Sequence, residues 1–230
     1  MSSAFARWYH RGMRLPVEVP YTRPMCWTCR KPGLVCICAD IRSVPTRFRV
    51  VILQHPQEAR NTISTARIVS LSLTGARLFI GIDFAKDAAF LRCLREAPGP
   101  VYLVYPERGA PEVAELAERE QHWPGVEPTF ILIDGTWAQA RKIKNQNPIL
   151  APIPRVGLAP DRTSNYRIRR QPRPHCLSTV EATELLLSRL EGPRERYQPL
   201  LDVFDRMIDR QIAFRGTEPT RGRRLPSTVR

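Results

Sequence analysis

Thr129-Phe130-Ile131-Leu132-Ile133-Asp134-Gly135-Thr136-Trp137 decides how this chain folds. The apolar run from Thr129 to Ile133 reads as a buried strand. Gly135 permits a tight turn or a close backbone approach. Thr136, with Gln139 three residues on, reads as a capping box opening a basic helix over 138–144. A carboxylate at the carboxyl end of a buried strand stands where α/β sheets bind their ligands. Capping accounts for Thr136 and Gln139 but leaves Asp134 and Trp137 to be explained.

The same alternation of strand and helix extends upstream. Residues 48–53, 78–82 and 101–105 read as strands, being rich in β-branched and aromatic side chains. Helices are predicted over 64–74, 86–96 and 112–121, the first with Ile68, Leu71 and Val69 or Leu73 on its apolar face. Strands separated by helical crossovers predict an α/β fold: a mostly parallel sheet with helices on both faces. Downstream, 148–176 is rich in Pro and Arg and reads as irregular, with short strands near 153–156 and 166–168. Ser178-Thr179-Val180-Glu181 carries a second capping-box signature before a helix over 182–190, and a last helix is predicted over 195–214.

The chain has 230 residues, enough for one sizeable α/β domain and a small appendage. Its net charge of +14 points to a polyanionic partner, nucleic acid before an anionic membrane surface, against the plainer reading of a solvated basic surface. No window approaches 18 consecutive apolar residues, and residues 1–8 lack the apolar core of a signal peptide, so a cytoplasmic protein is expected. Four divisions follow: a basic arm (1–22), a cysteine module (23–44), an α/β domain (45–214) and a basic tail (215–230), expected to be disordered.

Cys26, Cys29, Cys36 and Cys38 fall within thirteen residues. In a reducing compartment such a group reads as a metal site rather than as disulfides. Four thiolates favour a structural, tetrahedral zinc, with an iron–sulfur cluster or a redox pair as alternatives. Cys93 reads as a buried core residue of its helix.

No GxGxxG after a strand and no Walker A loop occurs, which disfavours nucleotide-fold dehydrogenases and NTPases, and neither a GxSxG elbow nor an HExxH zincin helix is present. What remains is a set of polar clusters at strand ends: His55-Pro56-Gln57-Glu58, Tyr105-Pro106, Asp134-Gly135-Thr136-Trp137, and Leu177-Ser178-Thr179 before the late helix. A parallel sheet brings such ends to one edge.

In order along the chain, these pieces resemble the DTW-domain family of tRNA-uridine aminocarboxypropyltransferases. The resemblance rests on the four cysteines, His55-Pro56-x-Glu58 followed by Thr65-Ala66-Arg67, Tyr105-Pro106, Asp134-Gly135-Thr136-Trp137 with Ala140-Arg141-Lys142, Tyr166-x-x-Arg169 and Leu177-Ser178-Thr179-x-Glu181-Ala182. It implies a SPOUT-like fold with a trefoil-knotted carboxyl-terminal region that binds S-adenosylmethionine. The implied reaction moves the 3-amino-3-carboxypropyl group to N3 of a tRNA uridine and releases methylthioadenosine. A SPOUT-type RNA methyltransferase, a ribosomal RNA aminocarboxypropyltransferase and a non-enzymatic zinc-containing RNA-binding protein are the competing functions.

Under that resemblance Asp134 is the candidate general base, or the acceptor that orients uridine N3–H, set against a structural carboxylate that caps backbone N–H groups. Trp137 either stacks on a base or belongs to the core. Tyr105, Pro106, Asp134, Gly135, Thr136, Trp137, Leu177, Ser178 and Thr179 are placed around S-adenosylmethionine. Glu181 is either a capping partner or a ligand of the cofactor's amino group. For RNA, the candidates are Arg141, Lys142, Lys144, Tyr166, Arg167, Arg169, Arg170 and Arg173. His55 and Glu58 join them, with a turn role for His55 as the rival reading, and Arg67 either pairs with Glu58 or reaches the substrate.

Overall fold

β1 (Arg49–Gln54) forms because Val50 to Leu53 are apolar without interruption, and both of its faces are covered. Val50 and Ile52 belong to one core, Val51 and Leu53 to the other. A computed structural model of the chain describes residues 24–119, 126–169 and 176–217. The basic arm, most of the basic tail, and Arg170 and Arg173 of the Arg-rich segment lie outside the described residues.

The other strands are β2 (Arg77–Ile80), β3 (Val101–Val104), β4 (Thr129–Asp134) and β5 (Arg155–Val156). All neighbouring pairs are parallel, in the order β2-β1-β4-β3-β5. The expected α/β class is therefore present, with a sheet that is wholly parallel. A short helix α1 (Pro56–Ala59) and then α2 (Ala66–Ser72) follow β1, α3 (Ala88–Arg95) follows β2, and α4 (Val113–Arg119) follows β3. After β4 comes α5 (Trp137–Gln146), and α6 (Thr179–Glu191) and α7 (Gln198–Thr217) complete the chain. Helix α2 ends at Ser72, so Leu73 caps it instead of extending its apolar face.

Helices α2, α4, α6 and α7 pack on one face of the sheet around Ile68, Leu116, Leu186 and Phe204. Phe90 and Cys93 of α3 and Ile143 of α5 cover the other face. Cys93 is buried, as its helical position predicts. Among the described residues, no helix is long and apolar enough to cross a membrane.

The strand order locates a crevice. The chain leaves β1 toward β2 on one side, and leaves β4 toward β5 on the other. Adjacent strands whose crossovers depart in opposite directions define the switch point of a parallel sheet, where its ligands bind. Gln54 and Asp134, the last residues of β1 and β4, are register partners there.

The stretch at 166–168, expected to be a strand, is instead a turn closed by Arg169 N–H donating to the Tyr166 carbonyl at 3.0 Å. Its apolar residues are held by packing: Tyr166 lies edge-on to Phe204, ring centroids 5.2 Å apart, and its hydroxyl donates to the Ile63 carbonyl.

Candidate functional site at the switch point

Asp134 is buried at the end of β4, and both of its carboxylate oxygens have partners. Oδ2 accepts from Gln54 Nε2 at 2.8 Å, and Oδ1 accepts from the Thr179 hydroxyl at the start of α6. Gln54 Nε2 also donates to Ser64 Oγ at 2.8 Å, tying the loop before α2 to the same carboxylate. Burial raises the Asp134 pKa above its ordinary value, against the opposing pull of Thr179 and Gln54. A raised pKa makes the carboxylate a stronger base once it is ionised. The structural alternative for Asp134, capping backbone N–H groups with its side chain, does not describe these bonds, since both donors are side chains.

Trp137 is the first residue of α5 and is 44% exposed, so it is not core. Its ring meets Tyr105 edge to face, centroids 6.4 Å apart, and Lys144 Nζ lies 5.1 Å from the Tyr105 centroid. An aromatic wall with a cation at its back thus rises beside the end of β4. Lys144 and Arg155 also approach Glu107, at 3.7 and 3.3 Å.

On the other flank His55 caps α1, its Nδ1 accepting from Gln57 N–H at 3.3 Å. That bond leaves the neutral ring's proton on Nε2. The turn role of His55 is therefore the one seen, while its ring also borders a cleft of about 410 Å³ with Arg60, Gln57, Gln139 and Lys142. Gly135 serves a close internal approach: a Cβ there would lie 3.0 Å from Gln139 Cβ and 3.6 Å from His55 Cβ.

Several expected contacts are corrected by burial and pairing. Glu181 is buried, its carboxylate accepting from the Ser178 hydroxyl at 2.6 Å, Ser178 N–H at 2.8 Å, Ser164 Oγ at 2.7 Å and Asn165 N–H at 2.8 Å. Of its two expected roles the capping one is seen, and the Ser178 hydroxyl is bound to it. Thr136 likewise forms the predicted capping box with Gln139, so its hydroxyl faces α5. Tyr166 is buried and offers no face to RNA.

Glu58 is buried and holds Arg169 through two bonds of 3.0 and 2.8 Å, so the pairing expected of Glu58 is made with Arg169 and not with Arg67. Burial lowers the Arg67 pKa, and the charge of Arg30 adds to the lowering. Arg167 pairs with Asp209 on the surface at 2.7 Å, while Arg141 and Lys142 are exposed on α5. Replacing Arg169 by Ala would strand the buried Glu58 carboxylate. The expected loss is about 2 kcal/mol, below the roughly 3–5 kcal/mol of a fully enclosed pair because the guanidinium is partly solvated. Urea unfolding checks this, and Glu58→Gln combined with Arg169→Ala should recover part of the loss.

Gln54, Ser64 and Thr179 complete the carboxylate's surroundings; of these, only Thr179 was singled out from sequence. A polar residue closing the apolar run Val50-Val51-Ile52-Leu53 was the available signal for Gln54.

The cysteine module docks on the α2–α7 face. Cys29 and Ile37 enter the main core, and Asp40 pairs with Arg206 and Arg210 of α7. The four Sγ atoms lie within 4.8 Å of one another, with Cys26–Cys38 at 3.6 Å and Cys29–Cys36 at 3.7 Å. Four thiolates about 2.3 Å from one tetrahedral ion stand about 3.8 Å apart. The donor set therefore fits a single metal ion and is too tight to span a multi-iron cluster.

The DTW domain matches residues 23–212, and the chain belongs to that family. It is 33% identical over 193 residues to tRNA-uridine aminocarboxypropyltransferase 2 of Drosophila melanogaster, covering 81% of this chain and 74% of that one. The Macaca fascicularis protein of the same name is 34% identical, over 88% of this chain and 68% of its own. tRNA-uridine aminocarboxypropyltransferase A of Arabidopsis thaliana is 25% identical over 86% of this chain and 84% of its own. No solved structure matches.

Proposed function

We propose that this chain is a tRNA-uridine aminocarboxypropyltransferase that uses S-adenosylmethionine as donor. The observation that carries the proposal is family membership over 23–212, with relatives named for this reaction at 33–34% identity. The buried Asp134 at the switch point supplies the chemistry such a transfer needs.

Bound S-adenosylmethionine supplies a sulfonium whose methionine γ-carbon is electrophilic. Uridine N3 forms the new N–C bond as the C–S bond breaks, methylthioadenosine leaves with the electron pair, and the N3 proton passes to Asp134. Gln54 and Thr179 hold that carboxylate in place, so most of the rate comes from positioning. Tyr105, Pro106, Trp137, Leu177 and the backbone at Gly135 border the space for the donor. Arg141, Lys142 and Arg167 stand on the surface to meet phosphates, and zinc in the cysteine module is structural, because all four ligand positions are cysteine. The carboxyl-terminal region that binds the donor is SPOUT-like and knotted.

Unmodified tRNA incubated with the protein and S-adenosylmethionine is expected to yield a uridine heavier by one aminocarboxypropyl group, with methylthioadenosine in equal amount. Nucleoside mass spectrometry checks this. A methylated product would overturn the chemistry while keeping the donor, and no product on tRNA would overturn the substrate.

A further inference from the structure

The geometry points to a base-stacking platform on the cysteine module, built by Trp27 with Arg30, that takes an unpaired base of the RNA substrate. Within Cys26-Trp27-Thr28-Cys29 both thiols turn toward the cluster, which throws the residues between them outward. Trp27 is 83% exposed, and Leu34 and Met25 of the same module are 73% and 47% exposed. Three of the seven exposed large hydrophobics among the described residues therefore sit within ten residues of chain. Large apolar side chains exposed as a group, rather than singly, are the kind that marks a surface for a partner.

The platform is rigid. Cys26 N–H donates to the Lys31 carbonyl at 2.8 Å, Arg30 N–H to the Cys26 carbonyl at 2.9 Å, and Gly33 N–H to the Pro24 carbonyl at 2.8 Å. Arg30 adopts a left-handed φ of 58°, rare for a residue with a Cβ, and its guanidinium carbon lies 5.5 Å from the Trp27 ring centroid. One cation packed on the indole gives a ring for a base and charge for its phosphate.

The orientation is fixed to the switch point. Lys31 is buried, and its ammonium donates to the carbonyls of Thr62 at 2.6 Å and Ser64 at 3.2 Å. Ser64 Oγ in turn receives Gln54 Nε2, the donor that also holds Asp134. The platform thus stands on the same loop that shapes the carboxylate's surroundings, placed to hold one part of an RNA while another reaches Asp134.

RNA is favoured over a second copy of the chain by charge. A self-contact through this patch would bring two Arg30 guanidinium groups together, and the module's Asp40 is already held by Arg206 and Arg210. A polyanion suits the surface and the chain's net charge of +14.

This inference rests on the tRNA reading, and binding without donor separates the two. Affinity for unmodified tRNA is measured at fixed salt, without S-adenosylmethionine, for the full chain and its Trp27→Ala and Trp27→Phe variants, with metal content and melting temperature alongside. Trp27→Ala is expected to weaken binding about 5- to 150-fold, the contribution of one stacked base, with Trp27→Phe near wild type and metal content unchanged. Equal affinity of Trp27→Ala and wild type would overturn the platform and leave the transferase reading standing. With sedimentation and binding to phosphatidylserine vesicles measured on the same proteins, unchanged RNA affinity with a shift in sedimentation would overturn it in favour of self-association, and loss of vesicle binding alone in favour of a membrane. A wild-type chain with no tRNA affinity would overturn both.

Discussion

Asp134→Asn is expected to lower single-turnover transfer by about 10²- to 10⁴-fold, the range for losing a positioned general base, while raising the melting temperature at neutral pH. The substitution is nearly isosteric and keeps the site bonded. The asparagine oxygen accepts from Gln54 Nε2, its NH₂ donates to Thr179 Oγ, and neither neighbour is stranded. What disappears is a buried negative charge. Burial raises the folded-state pKa of Asp134 above its ordinary 3.8, so between those values the folded chain keeps a proton that the unfolded chain has lost. Wild-type stability therefore falls as pH rises through that window. The asparagine variant has no such dependence, so its advantage is absent below pH 3.8, grows across the window and stays constant above it. Transfer by the wild type should rise across the same window as the base ionises. Thermal unfolding from pH 3 to 8, paired with single-turnover kinetics, checks both arms. Full activity in Asp134→Asn would dismiss the base, and a lower melting temperature would dismiss the account of a destabilising buried charge.

That a stability gain and an activity loss should come from one residue fits the rest of the switch point. Gln54 and Asp134 are register partners that close the apolar runs 50–53 and 130–133, where two buried polar side chains have no packing purpose. Local rules broken inside a consistent fold mark functional positions.

The sheet was legible in sequence because a parallel strand buried on both faces is apolar at every position: Val50 and Ile52 serve one core, Val51 and Leu53 the other. Both capping boxes were legible too, since each is a contact across three residues. Helix α1 was missed because its four residues hold no periodicity; Pro56 after His55 was its only mark. Residues 166–168 carry a strand-like alternation, yet the apolar positions answer to Phe204 and the Ile63 carbonyl, not to a neighbouring strand. The same limit governs the site. Asp134 shows itself at a strand end, but its partners Gln54 and Thr179 stand 80 and 45 residues away. The basic run around Arg169 was read as phosphate-binding because composition cannot distinguish a guanidinium facing solvent from one locked to Glu58 111 residues upstream.

Loss of the metal should be the most damaging change to the fold. The purified chain is expected to carry one zinc ion, and Cys29→Ser or exhaustive chelation to remove it. Cys29 is 2% exposed and shares the main core with Ile37, so the module cannot loosen without opening the face beneath α2 and α7. Arg210 donates to the Cys36 carbonyl at 2.6 Å and pairs with Asp40, which passes the disturbance to α7. Structural zinc sites bind with about 10–16 kcal/mol at neutral pH. If even a third of that reaches the whole domain, at about 2–4 °C per kcal/mol for a chain of this size, the melting temperature falls by roughly 10 °C. The ion needs its four cysteines as thiolates, so acid should release it and lower stability in step. Elemental analysis with calorimetry checks the chain of reasoning. An unchanged melting temperature after zinc removal would mean that core packing alone holds the module, and stoichiometric iron in place of zinc would reassign the ion while keeping its single tetrahedral site.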